Sequence, residues 1–137
     1  MSVEDKIIEE LEKKFNINEE VSFNEYNLAE KLQNHSFVLL QYNQILLREK
    51  INLSKLEEIL NKKMGEKYHY YRFNFDEQLT KPEIEKYYLV KDKDILKIKE
   101  LLRKQEIVVG FFEACVKSIE SMGWDIKNFI ENSKRGY

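Results

Sequence analysis

One proline and four glycines in 137 residues leave few points at which a helix must stop, which argues against a chain of short strands and tight turns. A single cysteine, Cys115, cannot close an internal disulfide, and its place in an apolar run makes it a packing residue. The only histidines, His35 and His69, are isolated in sequence from other metal-ligand types, so no metal site is expected. His35 falls in an apolar seam, as a polar core residue with its hydrogen bond satisfied does. No apolar run approaches the ~20 residues that span a bilayer. Met1-Ser2-Val3-Glu4-Asp5 is acidic where a signal peptide is basic and then apolar, so the expectation is a protein that stays in the cytosol. There is no phosphate-binding glycine loop, no serine nucleophile elbow and no carboxylate pair separable from ordinary helix surface. No catalytic residue, cofactor or enzymatic activity is therefore expected.

What is present is helix. Charged residues make up 35% and hydrophobic residues 42%, the composition of a helix-rich soluble chain that fits one domain. The stretch from about 24 to 64 organises the rest. Leu28, Leu32, His35, Leu39, Tyr42, Leu46, Glu49, Leu53, Leu56 and Leu60 recur at steps of three and four, a heptad seam with polar interruptions. Phe37, Leu40, Gln44, Leu47 and Ile51 form a second seam, roughly 150° round the helix from the first. Two seams fit either a helix in the middle of a monomeric bundle or one shared between neighbouring subunits. A helix of ~40 residues is ~60 Å long, more than a lone small domain covers easily, and favours the oligomer.

Before it, residues 3 to 14 read as a short amphipathic helix broken at Phe15-Asn16-Ile17-Asn18. Glu19 to Phe23 is read as a link. Ser22 or Asn24 is the expected cap of the long helix, and Gly65 its expected stop. Thr80-Lys81-Pro82-Glu83 starts a brief helix ending near Val90. From about 92 to 122 a second long helix is expected, closed by Gly123, with Gly110 as a point of close helix approach. Its seam is Ile95, Ile98, Leu102, Gln105, Val109, Phe112, Val116 and Ile119. A last short helix follows Asp125, turning Ile126, Phe129 and Ile130 inward with Trp124 as anchor, and Ser133 to Tyr137 is read as a loose tail. The expected organisation is one helical domain: 1–65 with the N-terminal and central helices, 66–90 as an aromatic and basic connector, and 91–137 with the oligomerisation helices.

The net charge of −2 hides an asymmetry. Residues 1 to 25 hold eight acids against three bases, whereas 41 to 72 hold seven bases against four acids. Such a division suggests a polyanion site with an acidic surface elsewhere, although charge runs also serve as solvated faces. Arg48, Lys55 and Lys62 recur every seven residues between the two seams, flanked by Lys50 and Lys63. A basic line of this kind, with ~10 Å steps, could track a sugar-phosphate backbone without reading sequence. Lys67-Tyr68-His69-Tyr70-Tyr71-Arg72-Phe73-Asn74-Phe75 is the least helix-like stretch. Its rings and cations suit single-stranded nucleic acid, with Lys67, Tyr68, Tyr70 and Arg72 as a stacking extension. Equally, the rings could cover helix ends or form a short strand.

Asp92-Lys93-Asp94-Ile95-Leu96-Lys97-Ile98, the apolar helix after it and Met122-Gly123-Trp124 resemble the C-terminal half of the UvsY family, recombination mediators of T-even-like bacteriophages. Glu10-Leu11-Glu12-Lys13-Lys14 and Asn34-His35-Ser36 are similar to the family's corresponding stretches. The resemblance implies an all-α protein whose long helices pack side by side in a ring-like or barrel-like homo-oligomer, a hexamer or heptamer. It implies oligomerisation through the C-terminal helices, here Ile95, Ile98, Leu102, Val109, Phe112, Val116, Ile119 and Trp124. It further implies single-stranded DNA, a phage recombinase and a phage single-strand-binding protein as partners, in the host cytoplasm. The family's central Leu-Lys-Ala-Arg-Leu motif, associated with DNA binding, falls at Leu53-Ser54-Lys55-Leu56-Glu57, where only the flanking Leu and a shifted Lys remain. The DNA-binding candidates therefore rest on the basic line and the aromatic stretch. The competing expectation is a coiled-coil adaptor that binds only proteins.

Overall fold

The computed structural model describes residues 2–135, and among them no residue forms a strand. The first helix, α1 (Val3–Lys14), is capped by the Ser2 hydroxyl, which accepts from the Asp5 N–H at 3.1 Å. Phe15 ends it in extended backbone. Residues 19 to 21, expected as link, belong to a five-residue helix, α2 (Ile17–Val21), because the Asn16 side chain caps the Glu19 N–H. Lys31 Nζ donates to the carbonyls of Glu19 and Glu20 at 2.9 and 3.3 Å, satisfying acceptors that so short a helix leaves open.

The central helix, α3 (Leu28–His69), starts later than expected and runs past the expected stop. Asn24 is the residue that organises its entry, its Oδ1 accepting from the N–H groups of Tyr26 and Asn27, whereas Ser22 closes α2 and donates to the Glu19 carbonyl. Gly65 does not end the helix. A glycine stop needs left-handed backbone, and among the described residues no glycine has positive φ. Met64 and Tyr68, on either side of it, pack into a core, which carries the helix onward into a π-helical turn, Tyr70–Asn74. The aromatic stretch is thus helical, not a strand.

Thr80 and Pro82 open α4 (Lys81–Glu83), which continues through a π turn (Ile84–Tyr88) and a 3-10 turn (Leu89–Lys91). Helix α5 (Lys93–Arg135) is then unbroken through Gly123, so there is no separate last helix and Ser133 to Arg135 remain helical. Gly136 and Tyr137 lie outside the described residues. Gly123 has a different use: a Cβ there would lie 2.6 Å from His35 Nε2. It is Gly123 that permits close approach, while a Cβ at Gly110 would meet nothing within 4 Å.

The chain divides into two compact units, Met1–Glu49 with Ile107–Tyr137, and Lys50–Glu106. In the first, Phe15, Tyr42 and Phe112 form an aromatic triangle, with Phe15 edge-on to Phe112 at 5.1 Å. Val109, Cys115, Val116, Ile119, Met122 and Ile126 complete a core from one side of α5. The half-buried His35 Nε2 hydrogen-bonds the Ile119 carbonyl at 2.8 Å, so this nitrogen carries the proton and donates. His35 meeting Ile119 while Tyr42 meets Phe112 makes the two helix segments antiparallel. Cys115 is a packing residue, and burial pushes its thiol up to about 11. Trp124 is no anchor: it is 67% exposed, with Lys127 Nζ 5.2 Å from its ring. Phe129 is also exposed, touching Phe23 edge-on.

In the second unit Leu79, Ile84, Leu89 and Ile95 are buried, with Leu60, Met64, Tyr68, Tyr71, Phe75 and Tyr88 packed against them. This core is small, and rings contribute much of its wall.

Candidate nucleic-acid interface

The second unit holds a polar clasp beneath its aromatic wall. Asp92, the residue before α5, is 7% exposed and serves four neighbours. Its Oδ1 accepts from the N–H groups of Asp94 and Ile95 at 3.0 and 3.2 Å, an N-cap. Its Oδ2 accepts from the Tyr71 hydroxyl at 2.7 Å and lies 3.4 Å from Lys67 Nζ. Burial alone would raise the Asp92 pKa, but the Tyr71 hydroxyl, the Ile95 N–H and Lys67 outweigh it and hold the carboxyl below its ordinary value. Tyr71 is pushed up to about 12, by burial first and by its bond to Asp92 second. Lys67 also meets Asp94 at 2.8 Å. That bond, helped by Asp92 and opposed by burial, raises its pKa.

These contacts decide the fate of the aromatic and basic stretch. Lys67 is engaged by two carboxylates and is therefore not a free phosphate ligand. Tyr68 is half-buried against the core, so its ring is not open to a base. Arg72 keeps an exposed side chain but donates from Nη1 to the Leu79 carbonyl at 3.3 Å, which fixes its direction. Tyr70 stays 46% exposed, edge-on to Tyr71 and Phe75. Phe73, at 67%, is more exposed still. Of the expected stacking set, the structure leaves Tyr70 and Arg72 at the surface and takes Lys67 and Tyr68 inward.

The basic line fares differently. Lys50, Lys55 and Lys62 of the second unit are exposed, as is Arg48 of the first, and among the described residues none of the four forms an ion pair. Lys63 is half-buried and pairs with Glu66 at 3.5 Å. Unpaired ammonium groups need no partner broken before they meet a phosphate, so Lys50, Lys55 and Lys62 are available cations on the second unit's part of α3.

In the first unit the second seam is open: Phe37 is 62% exposed, and Leu40 and Leu47 are exposed with it. The residues expected to join subunits sit elsewhere. Val109, Phe112, Val116 and Ile119 are buried within the first unit and Ile95 within the second, so their area is already used inside the protomer. Ile98 and Leu102 are half-buried, and Trp124 alone of that set is exposed. Among the described residues no group of His, Cys, Asp and Glu could hold a metal, and no helix is long and apolar enough to cross a membrane.

Tyr87 and Lys91, which sequence reasoning did not single out, are exposed and line a recess with Tyr71, Glu83 and Tyr88. Lys86-Tyr87-Tyr88 repeats, in miniature, the cation-and-ring pattern of 67 to 75, and that was the available signal.

Compared with known proteins, residues 10–135 match the family described as "Recombination, repair and ssDNA binding protein UvsY". No curated protein sequence matches the chain. Three crystal structures of the bacteriophage T4 recombination mediator protein UvsY share its fold. One has a TM-score of 0.79 at 18% identity, covering 95% of this chain and 98% of that one. A second has 0.78 at 20%, covering 99% and 98%. The third has 0.73 at 20%, covering 89% and 96%. At these identities the likeness is one of fold.

Proposed function

The chain belongs to the UvsY family, and from that premise we propose that it is a non-enzymatic recombination mediator that binds single-stranded DNA in the host cytoplasm. It promotes loading of the phage recombinase in place of the phage single-strand-binding protein, in recombination, recombination-dependent replication and repair. The observation that carries this reading is the set of exposed, unpaired cations at Lys50, Lys55 and Lys62, in the unit that also exposes Tyr70 and Phe73. Cations without partners supply sequence-independent phosphate affinity, and exposed rings supply stacking that only unpaired bases can use. Arg48 extends the spacing by one heptad.

Each protomer offers few such contacts, so useful affinity requires several protomers on one strand. The exposed Phe37, Leu40 and Leu47 suit that need, because large apolar side chains exposed along one helix seam mark an interaction surface. The protein accordingly works as a homo-oligomer. Multivalent binding that bends or wraps the strand weakens a competitor's hold and presents the strand to the recombinase.

The test is anisotropy of a labelled oligonucleotide across a salt titration. Affinity for the single strand should fall steeply with salt, by a slope near −0.7 per phosphate neutralised. Binding to duplex of equal length should be much weaker. An oligomer that binds no single strand at any salt would instead be an adaptor acting on proteins alone.

A further inference from the structure

The second unit carries an open recess of about 470 Å³, lined by Tyr71, Glu83, Tyr87, Tyr88 and Lys91. That volume falls within the ~300–1,000 Å³ of small-ligand sites. Its parts divide into fixed and free. Tyr71 and Tyr88 stand 5.3 Å apart ring to ring, Tyr88 packs on Phe75 at 5.4 Å, and the Tyr71 hydroxyl is held by Asp92. Glu83 accepts the Thr80 hydroxyl at 2.9 Å. Tyr71, Tyr88 and Glu83 therefore keep their places with nothing bound.

Tyr87 and Lys91 are the free parts. Tyr87 is 61% exposed, and among the described residues no other ring lies against it. It sits in the π turn Ile84–Tyr88, where the Leu89 N–H bonds the Ile84 carbonyl five residues back. Such turns recur at functional sites. Lys91 is exposed and forms no ion pair among the described residues. An idle ring face beside an idle ammonium, over a rigid aromatic floor, matches one ligand chemistry closely. A nucleobase needs a ring to stack on, and the phosphate joined to it needs a cation. In duplex DNA both faces of a base are already stacked, so only an unpaired base can enter. Glu83 repels a phosphate and Lys91 attracts one, which orients the backbone toward Lys91.

We infer that this recess is a base-stacking site for single-stranded nucleic acid, with Tyr87 as the stacking face and Lys91 as the phosphate contact. The inference rests on the proposed strand binding and adds to it a contact with the bases, where the lysines of α3 contact only the backbone. Tyr70 and Phe73 are exposed rings too, but the cation that shares a recess with Phe73 is Arg72, whose Nη1 is already engaged by the Leu79 carbonyl.

The test uses the full chain and two labelled oligonucleotides of equal length, oligothymidylate and an abasic single strand, followed by anisotropy. The native protein should bind oligothymidylate more tightly than the abasic strand by roughly fivefold to a hundredfold. Tyr87→Ala should lose most of that ratio while keeping its affinity for the abasic strand, and Tyr87→Phe should retain it. Lys91→Gln should weaken both strands and flatten both salt slopes by about 0.7. Tyr87→Ala with the native ratio overturns the base site while leaving backbone binding intact. A native protein that binds neither strand overturns the proposed function and this site with it. Because Tyr87 is mostly exposed, circular dichroism should show each of these variants folded.

Discussion

The two units each close a core of their own, with different materials. The first uses apolar volume: the triangle of Phe15, Tyr42 and Phe112, and the aliphatic side of α5 from Val109 to Ile126. The second has a smaller buried set and closes it with rings and the Lys67, Tyr71 and Asp92 clasp. Their surfaces differ as well. The first unit holds nine bases and fourteen acids, a net −5, and the second fourteen bases and eleven acids, a net +3. A unit that closes by apolar packing can be acidic outside and leave an apolar seam for a neighbour. A unit that consumes two acids on one internal clasp leaves several of its other bases unpaired. The contrast teaches that core chemistry and surface function are coupled in a chain this small.

The largest expected effect breaks the first unit. Phe112→Ala removes a ring that touches three others and should cost ~3–5 kcal/mol in denaturant unfolding. Amide exchange should rise first in the first unit. Next comes Gly123→Ala, whose new Cβ meets the His35 ring. We expect a loss of ~1–3 kcal/mol. Coupled with His35→Ala the two losses should fall short of their sum, as a double-mutant cycle would record.

Asp92→Asn addresses the second unit and should cost ~1–2 kcal/mol, since it keeps much of the cap but drops the carboxylate that Lys67 and Tyr71 share. Its signature is pH dependence. The Asp92 pKa is lowered on folding, so its stabilisation is complete above the unfolded value of about 4 and lost as pH falls through the lower folded one. Lys67 behaves oppositely, its contribution holding below about 10.4 and fading as pH rises through its raised folded value. The difference between native and Asp92→Asn unfolding curves should therefore shrink toward zero in acid. The smallest effect on the protomer is Leu47→Glu, less than ~0.5 kcal/mol because the side chain is 60% exposed. The same change should still lower the oligomer's mass in light scattering.

The sequence carries the fold class plainly, because periods of three and four persist through α3 and α5 and only one proline interrupts the chain. Both glycine stops misled for one reason. Glycine ends a helix only when the next contacts are not worth making, and Met64 with Tyr68, and Ile126 beyond Gly123, still had a core to enter. At Gly123 the missing side chain serves His35, a partner far away in sequence. Distance in sequence also hid the clasp. Lys67 reads as a surface cation until Asp92 is brought beside it, and Tyr68 as a free ring until its core exists. Lys55 and Lys62 were legible because heptad phase alone puts them outside. Trp124 was not, since size suggests burial while phase puts Ile126 inward instead.

The central claim is that single strands bind the second unit's unpaired cations and not positive charge in general. The direct measurement is salt-titrated anisotropy of a labelled single strand with two triple variants. One reverses Lys50, Lys55 and Lys62 to Glu; the other reverses Lys6, Lys117 and Lys134 of the first unit, which are equally exposed lysines. The first variant should lose most of its affinity and flatten the salt slope, and the second should stay close to native in slope. Equal losses in the two variants, or native binding by the first, would contradict the account.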